Sequence, residues 1–194
     1  MSIAIIAWGS LVWDPRSLPC KGEWEPGGPE LSIEFSRVSK DCRLTLVVDG
    51  ENGVLVGTRF VTSKRRNLRD AIADLRDREG TIWSRIGYVD ITHGTNSAQA
   101  FPQPEPTFSL IEAWVKEKGF DAAVWTALPS SFKKETGDIF SVDVAASYIR
   151  RLPNTARRIA VEYFEKAPPE VSTPLRRHLA EEGIIASEEK WGVR

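Results

Sequence analysis

Cysteine and histidine are nearly missing from this sequence. Its 194 residues hold two of each: Cys20, Cys42, His93 and His178. No Cys-x-x-Cys pair and no Cys/His ligand spacing occurs, so a structural zinc site is excluded, and a chain of this length has no need of a disulfide framework. Both histidines read as surface or hydrogen-bonded structural residues. An excess of charge is missing too. Lys plus Arg number 26 against 27 Asp plus Glu, a net charge of −1. That balance gives no electrostatic reason to expect nucleic acid or an anionic membrane as partner. The run Lys64-Arg65-Arg66 is short, is followed by acids, and reads as a solvated face. No apolar run reaches the ~18 residues of a membrane helix. The first apolar stretch is too short for a secretory signal and lacks a positive flank, so a cytoplasmic protein is expected. The phosphate-binding patterns GxGxxG and Walker A and the nucleophile pattern GxSxG are absent, as are internal repeats and low-complexity segments.

What is present suits one globular domain with an appendage: hydrophobic residues make up 41% and charged residues 27%. Ile3 to Trp8 reads as a buried strand stopped by Gly9. Pro19 to Pro29 reads as a Pro/Gly-rich loop. Leu31 to Phe35 alternates as a half-buried strand does. Arg43 to Val48 and Val54 to Val61 read as two strands of an antiparallel hairpin about the turn Asp49-Gly50-Glu51-Asn52-Gly53. Asn67 caps a helix whose stripe is Leu68, Ile72 and Leu75. Strands are expected again over 86–92 and 122–128, with a helix between them that Ser109 opens and Gly119 closes. Helices are expected over 142–152, 155–166 and 174–182, the last opened by Thr173-Pro174. The expected fold class is α+β: a mixed, mostly antiparallel sheet closing into a small barrel with flanking helices. The expected division is a domain over 1–140 and a helical extension over 141–194 packed on it.

Two stretches have the makings of chemistry. In Ala7-Trp8-Gly9-Ser10-Leu11-Val12-Trp13-Asp14-Pro15, a glycine follows a buried strand. It lets the chain turn sharply and lets a ligand approach the backbone. Successive N–H groups in such a turn can converge on an anion or a developing oxyanion. Ser10 can add a hydrogen bond, and Trp8 and Trp13 can wall a pocket. The plain alternative is a strand-ending turn with core tryptophans. The second stretch is Leu68 to Gly80. At ~100° per residue, Glu79 returns to the stripe of Leu68, Ile72 and Leu75, while Asp70, Asp74, Asp77 and the arginines lie mostly elsewhere. A carboxylate so placed is costly to bury ionised, and a partly desolvated glutamate suits general acid–base work near neutral pH. The plain alternative is a helix that frays at Gly80 and lets Glu79 reach water.

Taken in order, the strand, Trp8-Gly9-Ser10-Leu11, the hairpin and the helix ending Asp77-Arg78-Glu79-Gly80 resemble the γ-glutamyl cyclotransferase-like family. Leu75, Arg78 and Glu79 match its Leu-Asp-x-Arg-Glu spacing. Gly9-Ser10-Leu11-Val12-Trp13-Asp14-Pro15 looks most like the glutathione-acting, ChaC-like branch. Ile33 to Ser39, with Arg37, resembles a strand of relatives, and Tyr148 echoes a later position. Trp8 stands where relatives carry tyrosine, and Arg76 where they carry aspartate. The resemblance implies intramolecular cyclisation of a γ-glutamyl compound to 5-oxoproline, with Glu79 as general base. Trp8, Gly9, Ser10 and Leu11 would bind substrate, and Arg37 would meet either a substrate carboxylate or a surface partner. It implies a small-molecule substrate, no metal and no cofactor, and leaves the leaving group and the oligomeric state open. The alternatives are a non-catalytic small-molecule-binding member of the same fold, and an interaction domain that shares the motif by coincidence.

Overall fold

The computed structural model describes residues 1–98, 103–187 and 191. Two compact units share the chain, and each is discontinuous in sequence. Met1–Leu31 and Gly57–Leu128 make the first, Ser32–Val56 and Pro129–Arg194 the second. The division therefore falls elsewhere than at 140/141: the strands over 32–56 belong with the later helices.

The first unit holds strands β1 (Ile3–Ala7), β2 (Cys20–Pro26), β6 (Arg59–Ser63), β7 (Ile86–Asp90), β8 (Thr95–Asn96) and β9 (Ala122–Thr126). They form one mixed sheet in the order β2-β6-β1-β9-β7-β8. β1 pairs antiparallel with β6 (Ile5 opposite Val61) and parallel with β9 (Ile5 opposite Val124). Every residue of β1 is buried. That continuous apolar run is what a central strand covered on both faces requires. Helix α1 (Leu68–Glu79) lays Ala71, Ile72 and Leu75 against Ile3, Ile5, Ala7, Val61 and Val124 on one face. On the other face helix α2 (Thr107–Lys118) brings Phe108 to Trp125 and Trp114 to Phe60, as the alternation of side chains along β6 and β9 dictates. Gly87 of β7 lies so close to Trp125 that a Cβ there would sit 2.2 Å from the indole ring.

Both ends of α1 follow from its sequence. Asn67 Oδ1 accepts the N–H groups of Arg69 and Asp70, and Gly80 closes the helix at φ 60° in the left-handed region. Helix α2 starts earlier than its Ser109 suggests. It begins at Thr107, so Ser109 lies inside the first turn, where its hydroxyl donates to the Pro106 carbonyl. The segment expected to be a Pro/Gly loop contains β2, an edge strand paired antiparallel with β6. Its side chains are mostly exposed, so it carries little hydrophobic pattern, and at the edge Pro26 is tolerated.

The second unit holds β3 (Leu31–Val38, starting at the boundary residue), β4 (Leu44–Val48) and β5 (Val54–Val56), with helices α3 (Phe132–Thr136), α4 (Val142–Arg151), α5 (Asn154–Lys166) and α6 (Pro174–Glu181). The strand order is β4-β3-β5. The expected hairpin of β4 with β5 is therefore corrected: the hairpin is β3 with β4, and β3 separates β4 from β5. The loop that Asp49 organises carries the chain past the start of β3. Asp49 Oδ1 accepts the N–H groups of Glu51 and Asn52, its own N–H donates to the Ser32 carbonyl, and a Cβ on Gly53 would sit 2.7 Å from the nitrogen of Ile33. Phe35 stacks on Phe164 at 4.1 Å and meets Tyr163 edge-on.

The class is α+β, with six α-helices among the described residues. The expected barrel is corrected as well. Among the described residues neither sheet closes on itself; β2 and β8 are the edges of the larger one, and β3 to β5 pair among themselves. No described helix is long and apolar enough to cross a membrane.

Candidate active site at the end of the first helix

Where β1 ends, residues 8–13 turn back in a single helical turn. The Gly9 carbonyl accepts from Val12 N–H at 2.9 Å and the Ser10 carbonyl from Asp14 N–H at 2.8 Å. The N–H groups of Ser10 and Leu11 start this turn, where no preceding carbonyl can reach them. Among the described residues they have no acceptor. Trp8 and Leu11 are buried, and Gly9, Ser10 and Trp13 are half-buried.

The last turn of α1 meets this segment. Arg78 Nη1 donates to Glu79 Oε1 at 2.6 Å and lies 3.5 Å from Ser10 Oγ. The carboxylate and the serine hydroxyl are thus within two hydrogen-bond lengths of each other, through one guanidinium nitrogen. Arg78 Nε donates to the Asp14 carbonyl at 3.2 Å, and Nη2 donates to the same oxygen. The side chains of Arg78 and Glu79 are 5% and 15% exposed. Among the described residues, only Arg78 bonds the Glu79 carboxylate, at Oε1, so Oε2 accepts nothing.

Glu79 therefore does approach Ser10, but not as the isolated inward carboxylate the helical phase suggests. Arg78, read from the sequence only as part of a motif and on an outward face, is the residue whose burial was missed. It lies three residues after Leu75 and seven after Ala71, in the buried register of α1. An arginine in an apolar stripe beside a glutamate was the available signal. The structure brings together Trp8, Gly9, Ser10, Leu11 and Glu79 in the first unit. Arg37 belongs to the second unit, where its Nη1 donates to the Pro129 carbonyl at 3.2 Å. Tyr148, also there, donates its hydroxyl to the Cys42 carbonyl.

Elsewhere in the first unit, a polar cavity of about 240 Å³ is lined by Asp90, Asn96, Glu112 and Lys116 among others. None of the candidate site residues lines it. Among the described residues, no three His, Cys, Asp or Glu side chains are grouped to hold a metal ion. Comparison with known proteins finds no matching family model, no similar curated protein and no similar solved structure.

Proposed function

We propose that this protein is a γ-glutamyl cyclotransferase-type enzyme, converting a γ-glutamyl compound to 5-oxoproline and a free amine. One observation carries the reading: a mostly buried carboxylate, with one oxygen that no described residue engages, stands two hydrogen bonds from a serine, on a turn whose leading N–H groups have no acceptor among the described residues. The resemblance of Trp8-Gly9-Ser10-Leu11 and Leu75-x-x-Arg78-Glu79 to that family supports it independently.

The reaction needs no protein nucleophile, because the substrate's own α-amino group attacks its γ-carbonyl. The protein must hold the substrate folded, accept a proton from the α-ammonium and stabilise the oxyanion. Glu79 Oε2 is the acceptor. The freed amine forms the new C–N bond, and the tetrahedral oxyanion lies against the N–H groups of Ser10 and Leu11. Collapse breaks the bond to the leaving nitrogen. Two of the three ammonium protons end on that nitrogen, Glu79 carrying them across, and the third stays on the lactam. Trp8 walls the site.

The test is a panel of γ-glutamyl amino acids, γ-glutamyl amines and glutathione, assayed for 5-oxoproline. Release from at least one is expected. A protein that binds one of them and turns over none is the non-catalytic member instead, a reading that Trp8, with no hydroxyl to offer a substrate, favours.

A further inference from the structure

The geometry points to Arg78 as the positioning residue of this site, the group that turns the Glu79 carboxylate toward Ser10; the inference rests on the reading of Glu79 as base. Neighbouring side chains on a helix diverge by ~100° and do not face each other. Long adjacent heads can still meet, as Arg76 and Asp77 do on the exposed side of the same helix. What sets the Arg78–Glu79 pair apart is that contacts outside the helix fix the Arg78 head.

Those contacts come from the turn after β1. The stem of Arg78 runs inward in the register of Ala71 and Leu75, and its head is fixed by the Asp14 carbonyl and by Ser10 Oγ. The clasp is reciprocal: Arg16 Nη1 donates back to the carbonyl of Arg78 at 3.1 Å. The guanidinium reaches Asp14, Ser10 and Glu79 from a rigid planar fork, whereas a lysine ammonium is a compact point charge, which sets arginine apart from lysine here. Glu79 follows this head and binds it at 2.6 Å through Oε1. Charge adds a second reason. Glu79 ends α1, where the helix dipole disfavours a carboxylate, and the guanidinium offsets this. Without Arg78, the carboxylate has no described partner to hold it beside Ser10, and it turns to water.

Two substitutions separate positioning from mere structure. Arg78→Met keeps the buried stem and removes the fork; Arg78→Lys keeps the charge. Each is compared with the wild type, with Glu79→Gln and with the double variant Arg78→Met/Glu79→Gln, on a γ-glutamyl substrate the wild type turns over and in urea unfolding. Arg78→Met should lower kcat by ~10–100-fold, as losing a group that orients a reactive ligand does, with KM little changed, and Arg78→Lys should recover part of the loss. In unfolding, the double variant should be more stable than the two single effects combined predict, by at least ~3-fold in the unfolding constant, because each single change strands a partner. Unchanged kcat in folded Arg78→Met overturns the positioning role and leaves Glu79 as base untouched. A fall in activity that only tracks the unfolded fraction overturns it too. If the wild type releases no 5-oxoproline, the proposed function fails, and the unfolding comparison decides the pairing alone: coupled effects uphold it, and additive effects overturn it.

Discussion

Replacing Glu34 with glutamine should flatten part of the dependence of folding stability on pH. Glu34 lies on β3 and is fully buried. Its Oε1 accepts from Thr173 Oγ1 at 2.5 Å and from Phe35 N–H at 2.7 Å, and its Oε2 accepts from Leu175 N–H at 3.2 Å, in the first turn of α6. Burial pushes the carboxyl up from 4.5 to about 7; the three hydrogen bonds pull it down and Asp49 nearby pushes it up, but desolvation outweighs them. The folded protein therefore holds a proton that the unfolded chain has released. Below 4.5 both states are protonated and burial of this group costs no charge. As pH rises through that value toward 7, stability falls, by about 3 kcal/mol in all, and above 7 it falls no further. Glutamine does not titrate, and its amide loses one of the three accepted bonds, at about 1 kcal/mol throughout. Glu34→Gln should thus be less stable than the native protein near pH 4.5 and more stable near pH 8, by about 1 and about 2 kcal/mol. Urea unfolding of both proteins across that range reads the difference, in which all other titrating groups cancel. Parallel stability curves would refute the reasoning.

Glu79→Gln should destabilise the fold, by about 1–3 kcal/mol in urea. A carboxylate buried alone would make this change favourable, but here it strips the mostly buried Arg78 of its counter-charge; a variant as stable as wild type would show that the pair contributes nothing. Gly87→Ala should cost about 1–3 kcal/mol or more, since the new methyl would collide with Trp125. A lowered melting temperature with an altered near-ultraviolet signal from tryptophan is the expected result, and an unchanged melt would mean that β7 and Trp125 can part freely.

Much of the local structure was legible because its causes are local. The Asn67 cap, the Gly80 stop, the Thr173-Pro174 opening and the buried run of β1 each depend on a few adjacent residues. Strand pairing was not, because it depends on distant partners. Val54 to Val61 looks like one strand, yet it divides into β5 and β6, which join different sheets in different units. The period-two pattern of β3 promised an exposed Glu34, but both faces of that strand are covered. At the site, helical phase set Glu79 on the apolar stripe, but the buried register of α1 holds Arg78 and leaves Glu79 half-buried beside it. The burial of Arg78 was missed, because the rule that charged residues turn outward hides an arginine whose partners are backbone carbonyls and a neighbour.

The release of 5-oxoproline by wild type and by Glu79→Gln, each measured on protein shown to be folded, tests the central claim most directly. Glutamine keeps the size of the side chain and a hydrogen bond to Arg78 but cannot take a proton from an ammonium. The account predicts turnover of a γ-glutamyl substrate by the wild type and a loss of at least ~10²–10⁴-fold in the folded variant, the usual worth of general acid–base catalysis. Near-wild-type turnover by the folded Glu79→Gln variant would contradict the assignment of Glu79 as the base.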